Sequence, residues 1–486
     1  MKWDLARWGI YDAFTNSIYS IMLFLLQSAL LCANLALAQI QAPALPGAPP
    51  ISSQDRIYTG DQTSNTVTVI KPSTNEVLGT IFLGDERLSD ILGPQYLNSI
   101  NSHGLGFSRD GKYICSISVT TNTVTVIRTL DNGIQSQTFA ERATHEAFFS
   151  ADNRTVWVAS RGTSHVDVID GISGGVIGNI TTAPGPSKVL FSPDGKTAYV
   201  NHIKSASLSI IDVEKRQVIQ EITGLADVFS SDMMLSADGY RIWLAHKMAG
   251  LVTVIDLQQQ KIVSVLDTGL ETNHPNFVVM DNVTYGFVTV AGLNETKAYR
   301  QESPSEPPVY IGAIKSSGVQ PHPIWPSPDN TRLYIGNEHS DSVDVVDPRT
   351  LQVLCTLHVG QESQSLVYVA GAVTSGDGTK GLGRQGLGYR VENKALPVGG
   401  TMNGSALVTV RAVDGLDMVQ YIGNGLMENT TYVASASCYE CKGTQIPLLR
   451  FSGKPTAKGC AVAPQVLGFF QFFGVYDIES AMVNPA

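Results

Sequence analysis

Apolar and polar residues along this chain fall into short strand-like runs, not the three-to-four spacing of helices. Runs such as YICSI, VWVAS and IWLAH are β-branched or aromatic, five residues long, and bounded by Asp, Asn and Gly. One run recurs: VTVI from Val67 and again from Val124, VDVID from Val166, LSIID from Leu208, VTVID from Val252 and VDVVD from Val343. The steps are 57, 42, 42, 44 and 91 residues. The last step spans two units, with a worn copy at ETKAYR near Thr296. The first is one unit plus an insertion at about Asp85–Asn101.

A second motif precedes most copies: FSRDGK from Phe107, FSADNR from Phe149, FSPDGK from Phe191, LSADGY from Leu235 and PSPDNT from Pro326. Asp-Gly and Asp-Asn between apolar runs make tight hairpins, because these residues tolerate positive φ. Each unit therefore reads as strand A, a hairpin, strand B, a loop, strand C with the aspartate motif, and strand D. Four short antiparallel strands repeating in this way form a β-propeller blade.

The segments AYVNH…SLSIIDVEKRQVIQEI and LYIGNEHSDSVDVVDPRTLQVLCTL resemble the YVTN-repeat family of seven-bladed propellers over roughly Ile57–Val373. The resemblance implies a fold and leaves the activity open, because the family includes surface-layer proteins, lactonase-like enzymes and non-catalytic subunits. Counting units predicts an all-β fold, a seven-bladed β-propeller with a split closing blade. The first copy (IYTGDQTSNTVTVIKPSTNEVLGTIFL) has no strand A, and Ser363–Val373 is a strand A with no B, so the two complete one blade. Alternating segments after the repeat, from SALVTVRAV to VLGFFQFFGVYDI, predict a small C-terminal β-sandwich at 391–486, with a Gly-rich linker at 374–390.

The start of the chain differs. Lys2 and Arg7 precede an apolar run from Ile21, and Ala36-Leu37-Ala38 is a small-x-small cleavage pattern. Residues 1–38 thus read as a secretory signal peptide, followed by a Pro-rich spacer at 39–55 and a propeller at 56–373. An uncleaved anchor is the alternative; after cleavage no segment is apolar enough to span a bilayer. Export agrees with six N-x-S/T sequons, at Asn153, Asn179, Asn282, Asn294, Asn403 and Asn429. Asn153, at a hairpin tip, is expected to hold a glycan in water. Cys115 and Cys355 lie in apolar strand patterns as buried free thiols. Cys438, Cys441 and Cys460 suit a disulfide better than zinc, since no fourth Cys and no later His accompany them. The net charge of −10 comes with no Lys/Arg run, which excludes a nucleic-acid footprint.

Candidate chemistry lies at the start of each strand A. Reading back five positions from each hairpin serine gives His103, His145, Ser187, Ser231, His274 and His322, with Gln364 in the closing strand. These positions converge on one mouth of the central channel, and the B-to-C loops bring Arg161, His202, His246, Lys247, Glu338 and His339 to the same mouth. Glu146 and Asp232 adjoin the ring. Four imidazoles on one axis (His103, His145, His274 and His322) suit a divalent metal or acid–base work near neutral pH. The plainer reading is a turn in which each His bonds neighbouring backbone and is copied with its blade. Two functions follow: a secreted or cell-surface module binding a small molecule, glycan or protein at the mouth, or a secreted lactonase-, cyclase- or lyase-type enzyme. A third, a non-catalytic subunit of a redox complex, is implied by the resemblance alone.

Overall fold

The computed structural model describes residues 47–83, 100–383, 391–399, 404–413, 416–438, 445–455, 461–470 and 476–485. The chain divides into two compact units, 1–39 and 40–486, and the described residues belong to the second. The expected signal peptide, the insertion near Asp85, Asn403, Cys441 and Cys460 lie outside the described residues, as does the Cys438 side chain. Among the described residues no helix is long and apolar enough to cross a membrane.

Residues 56–369 form seven four-stranded antiparallel sheets. Their first strands in hydrogen-bonding order are Gly104–Phe107, Thr144–Phe149, Pro186–Phe191, Asp232–Leu235, Thr272–Met280, Pro321–Pro326 and Ser363–Val369. Each of these touches the next, and the last touches the first, so the sheets close a ring around an axis. The worn copy is a full strand, Glu295–Gln301, in the fifth sheet along the chain from Gly104. The apolar runs are continuous because neighbouring sheets cover both faces of each central strand: Arg56–Asp61 and Thr155–Ser160 are buried throughout. The outermost strands alternate, as Gln352–His358 does, because only one face is covered. Cys115 is a buried free thiol as expected, whereas Cys355, on that outer strand, is only half-buried.

The hairpin motif is a side-chain staple. The serine hydroxyl donates to the aspartate two residues on, at 2.8 Å from Ser108 to Asp110, 2.7 Å from Ser150 to Asp152, and 2.6 Å from Ser192, Ser236 and Ser327 to their partners. Gly111, Asn153, Gly195, Gly239 and Asn330 follow with φ of 71°, 57°, 73°, 75° and 63°, the region these residue types tolerate. Asn153 does not simply face water. It is half-buried, and its Oδ1 accepts the Asp110 amide of the neighbouring hairpin at 3.1 Å. Asn179, Asn282, Asn294 and Asn429 are the exposed sequons. Sheets pack through aromatic rings, with Trp243 lying 5.2 Å from Phe277 and 5.8 Å from Tyr299. A Cβ at Gly286 would stand 2.2 Å from the Trp243 ring, so this strand needs glycine there.

The closing sheet is the split one. Ser363–Val369 pairs with Arg56–Asp61, from Arg56↔Val369 to Asp61↔Ser363 with a bulge at Gly60/Asp61, and Thr66–Lys71 and Glu76–Phe82 complete it. Buried Asp55 clamps the joint, accepting the Tyr368 hydroxyl at 2.6 Å and the Gly371 amide at 2.9 Å. The Gly-rich stretch is not a free linker over its described part. Arg56 donates to the Asp377 carbonyl at 2.6 Å, Asn132 donates to the Gly378 and Lys380 carbonyls at 3.0 and 2.9 Å, and Gly383 and Thr80 exchange backbone bonds. Beyond it, a five-stranded sheet (391–426 with 454–470) and a three-stranded sheet (431–452 with 476–485) share a core including Val408, Val419, Tyr421, Tyr432 and Phe451.

A chain ending at Glu362 lacks the closing strand. It should show no cooperative thermal transition by circular dichroism, whereas a chain ending at Gly383 should keep one. Tyr368→Phe, which removes one of the hydrogen bonds that the buried Asp55 carboxylate accepts, should cost about 1–3 kcal/mol in a denaturant melt.

Candidate functional site

The strand A starts do meet at one mouth, around a cavity of about 490 Å³. His103, His145, His274, His322, Gln364 and Arg161 line it, together with Gln62, Glu146, Ser231, Asp232, Lys247 and Glu338. Three other candidates do not. His202 and His246 end their B strands buried, and their Nε2 atoms bond Ser209 Oγ at 2.9 Å and Thr253 Oγ1 at 2.8 Å on the adjacent strand. His339 is buried behind Glu338, with Nδ1 3.1 Å from Thr409 Oγ1 of the C-terminal sheet.

The imidazoles form two tilted pairs, His103 with His145 at 4.7 Å between centroids and His274 with His322 at 4.6 Å. His145 Nδ1 lies 2.9 Å from the Ser187 carbonyl and His322 Nδ1 3.0 Å from the Gln364 carbonyl. A carbonyl only accepts, so Nδ1 carries the proton and Nε2 is left with a lone pair. His103 Nδ1 bonds Gln62 Oε1 in the same sense. The backbone bonding expected of a copied turn is therefore real at His145 and His322. The expected fourfold metal site is not closed: among the described residues no three ligand atoms of these histidines lie within 4.8 Å of one another.

Burial, reinforced by nearby cations and imidazoles, lowers all four. His103 and His322 fall to about 3, and His145 and His274 fall well below their ordinary value. At neutral pH they are uncharged acceptors, not acid–base groups poised near pH 7.

The other side of the ring carries the charge. Ser187 and Ser231 are small, and Arg161 fills the space an imidazole would take. Its Nε and Nη2 donate to Ser187 Oγ at 3.0 and 2.8 Å, Nη2 also reaches the Ser231 carbonyl at 3.1 Å, and the guanidinium lies 5.8 Å from the Phe229 ring centre. Burial lowers Arg161 to about 10, which leaves it protonated. Beneath it Lys188 donates to Asp232 Oδ2 at 2.8 Å, both side chains almost fully buried. Burial opposes the Lys188 charge, but Asp232 and Glu146 outweigh that and raise it, while burial raises Asp232 against the pull of Lys188. Asp232 Oδ1 is buried with no hydrogen-bond partner among the described residues. Glu146 is pushed up to about 8, first by burial and then by Asp232, against the pull of Lys188 and Arg161, so it holds its proton at neutral pH. Lys188 and Gln62 were not singled out from the sequence. The signal for Lys188 was a lone lysine in the otherwise apolar inner strand PSKVLF.

No protein-family model matches this sequence, and no characterised relative matches it either. Solved structures do. The fold resembles a putative 6-phosphogluconolactonase of Bacteroides fragilis (11% identity, TM-score 0.52, 66% of this chain and 99% of that one). It also resembles the periplasmic gluconolactonase PpgL of Pseudomonas aeruginosa (17%, 0.51, 65% and 99%) and the hydrazine synthase of Kuenenia stuttgartiensis (18%, 0.50, 64% and 96%). At these identities the likeness establishes a β-propeller fold and nothing about chemistry.

Lys188→Met removes the partner of a buried carboxylate and should cost about 3–5 kcal/mol in a denaturant melt. Lys188→Met with Asp232→Leu should recover most of it. Glu146 has a folded pKa above its unfolded one, so its contribution is fully present below about pH 4 and is lost as pH rises to about 8. Glu146→Gln should therefore flatten stability against pH across that window, and difference infrared spectra should show the wild-type protonated carboxyl band disappearing near pH 8.

Proposed function

We propose that this chain is an exported propeller of the YVTN type that binds a small hydroxylated carboxylic acid, or its lactone, in the channel-mouth cavity. The observation that carries this reading is that Arg161 and Asp232, whose Oδ1 has no hydrogen-bond partner among the described residues, line one pocket. Arg161 and Lys247 suit a carboxylate or lactone carbonyl. Asp232 Oδ1 and the imidazole Nε2 lone pairs suit hydroxyl donors, and about 490 Å³ matches a small ligand. The lactonase names among the structural neighbours agree with this class, and the A-x-A pattern and exposed sequons support export.

A specific observation favours a catalytic form of the same reading. Glu146 holds a proton at neutral pH beside neutral imidazoles, so a proton donor and hydrogen-bond acceptors for a water stand in one pocket. In lactone hydrolysis, an imidazole Nε2 accepts a hydrogen bond from the attacking water and orients it, and the water's proton passes to solvent as its oxygen bonds the carbonyl carbon. Glu146 gives its proton to the ring oxygen as the acyl C–O bond breaks.

The test is titration calorimetry with D-gluconate and D-glucono-1,5-lactone. Wild type should bind, and Arg161→Gln and Asp232→Asn should each weaken binding at least tenfold while keeping a cooperative melt. Failure of wild type to bind either compound sinks this ligand class. A pH-stat assay decides the catalytic form: hydrolysis no faster than background removes it and leaves binding.

A further inference from the structure

Behind the cavity wall lies a second polar cluster. Glu338 and His339 begin the short 3-10 turn Glu338–Ser340, and Glu362 immediately precedes the closing strand. One ligand atom from each of the three lies within 4.8 Å of the others, and all three side chains are buried. His339 Nε2 is 3.6 Å from Glu338 Oε1. Two carboxylates against one imidazole is an anionic donor set of hard oxygen and borderline nitrogen, the kind that first-row divalent cations take.

Two independent observations point to a ligand. First, His339 is oriented from behind: its Nδ1 sits 3.1 Å from Thr409 Oγ1. Nε2 is thereby the nitrogen turned to the carboxylates, the arrangement of histidine metal ligands whose other nitrogen is held by hydrogen bonding. Thr63 likewise holds Glu362 through its Oε2. Second, Gln420 pairs directly with Thr409 across the C-terminal sheet, so both side chains stand on the same face. Gln420 is 1% exposed, and among the described residues neither its Oε1 nor its Nε2 has a hydrogen-bond partner. A buried amide with both ends unmet is costly, and a cation or its bound water meets the carbonyl oxygen.

We propose that Glu338, His339 and Glu362, with Gln420 as a further oxygen donor, bind one divalent transition-metal cation such as Zn²⁺ or Mn²⁺. The cation fastens three pieces of chain that meet here: the B-to-C turn of the last full sheet, the segment that closes the ring, and the C-terminal sheet. Glu338 also lines the cavity, which gives the ion a route in. Bonds of about 2.1 Å would draw the three donors together from their present spacing.

The experiment uses the full chain, stripped with a chelator and dialysed. Titration calorimetry with Zn²⁺ and with Mn²⁺ should show one site for at least one of them, and its addition should raise Tm by several degrees. Glu362→Gln and His339→Gln should each weaken that binding at least tenfold, and Gln420→Leu should weaken it less. If stripped wild-type protein binds neither ion, or binds without any change in the Glu362→Gln and His339→Gln variants, the proposal is overturned and the cluster is a His339–Glu338 ion pair. Because the first readout is on wild-type protein, a variant that fails to fold does not leave the question open.

Discussion

Everything in this molecule depends on one joint, where Ser363–Val369 lies down beside Arg56–Asp61. Each sheet of the ring buries both faces against its neighbours, so none is covered unless all are. A gap anywhere would expose two apolar faces and leave strand edges open. The joint brings together residues some 300 positions apart, and a loop of that length costs entropy that local hairpins do not. It is correspondingly reinforced. The Tyr368 hydroxyl and the Gly371 amide share the Asp55 carboxylate, Thr59 Oγ1 bonds Ser363 Oγ at 2.8 Å, and the Gly360 amide donates to Thr68 Oγ1 at 3.0 Å.

Closure also makes the site. Seven inner strands start at the same level around one axis, so whatever residue stands at that position points at six others. Where it is histidine, burial strips the ring of its charge; where it is serine, there is room for Arg161. The asymmetry of the cavity, acceptors on one side and cations on the other, thus follows from which blades carry a small residue. The same burial separates the acids. Lys188, bonded to Asp232 at 2.8 Å, pulls against the burial that raises that carboxyl, whereas Glu146 has no ion-pair partner among the described residues and keeps its proton.

The ring was legible in the sequence because a propeller repeats its local rules. The Ser-x-Asp turn is a hydrogen bond between residues two apart, so it survives as a motif wherever the hairpin does. The worn blade kept its strands without the motif, since burial between two neighbours asks only for apolar residues. Periodicity misled at His202 and His246. They occupy one position in consecutive blades, and the repeated interaction is a bond to a hydroxyl on the next strand, not to a ligand. Repetition identified a role shared by blades, and a shared role is more often scaffold than site. Lys188, which bonds Asp232 behind the cavity wall, breaks the pattern in its blade, and a search for repeats passes over such a residue.

The Gly-rich segment makes the complementary point. Its composition reads as flexible chain, yet at Gly378 a Cβ would stand 2.5 Å from the Arg56 guanidinium, and the backbone turns there with φ of 74°. Glycine at that position serves close approach, not freedom. The segment holds Arg56 and Asn132 through its carbonyls, one on each of two adjacent sheets. Chain that leaves the ring is thereby laid along its outside before reaching the C-terminal sheets, whose Thr409 returns to the mouth at His339. The two ends of this path differ in kind. The outer end is satisfied by backbone carbonyls and needs nothing more. The inner end gathers two carboxylates about one imidazole, near a buried amide with no hydrogen-bond partner among the described residues.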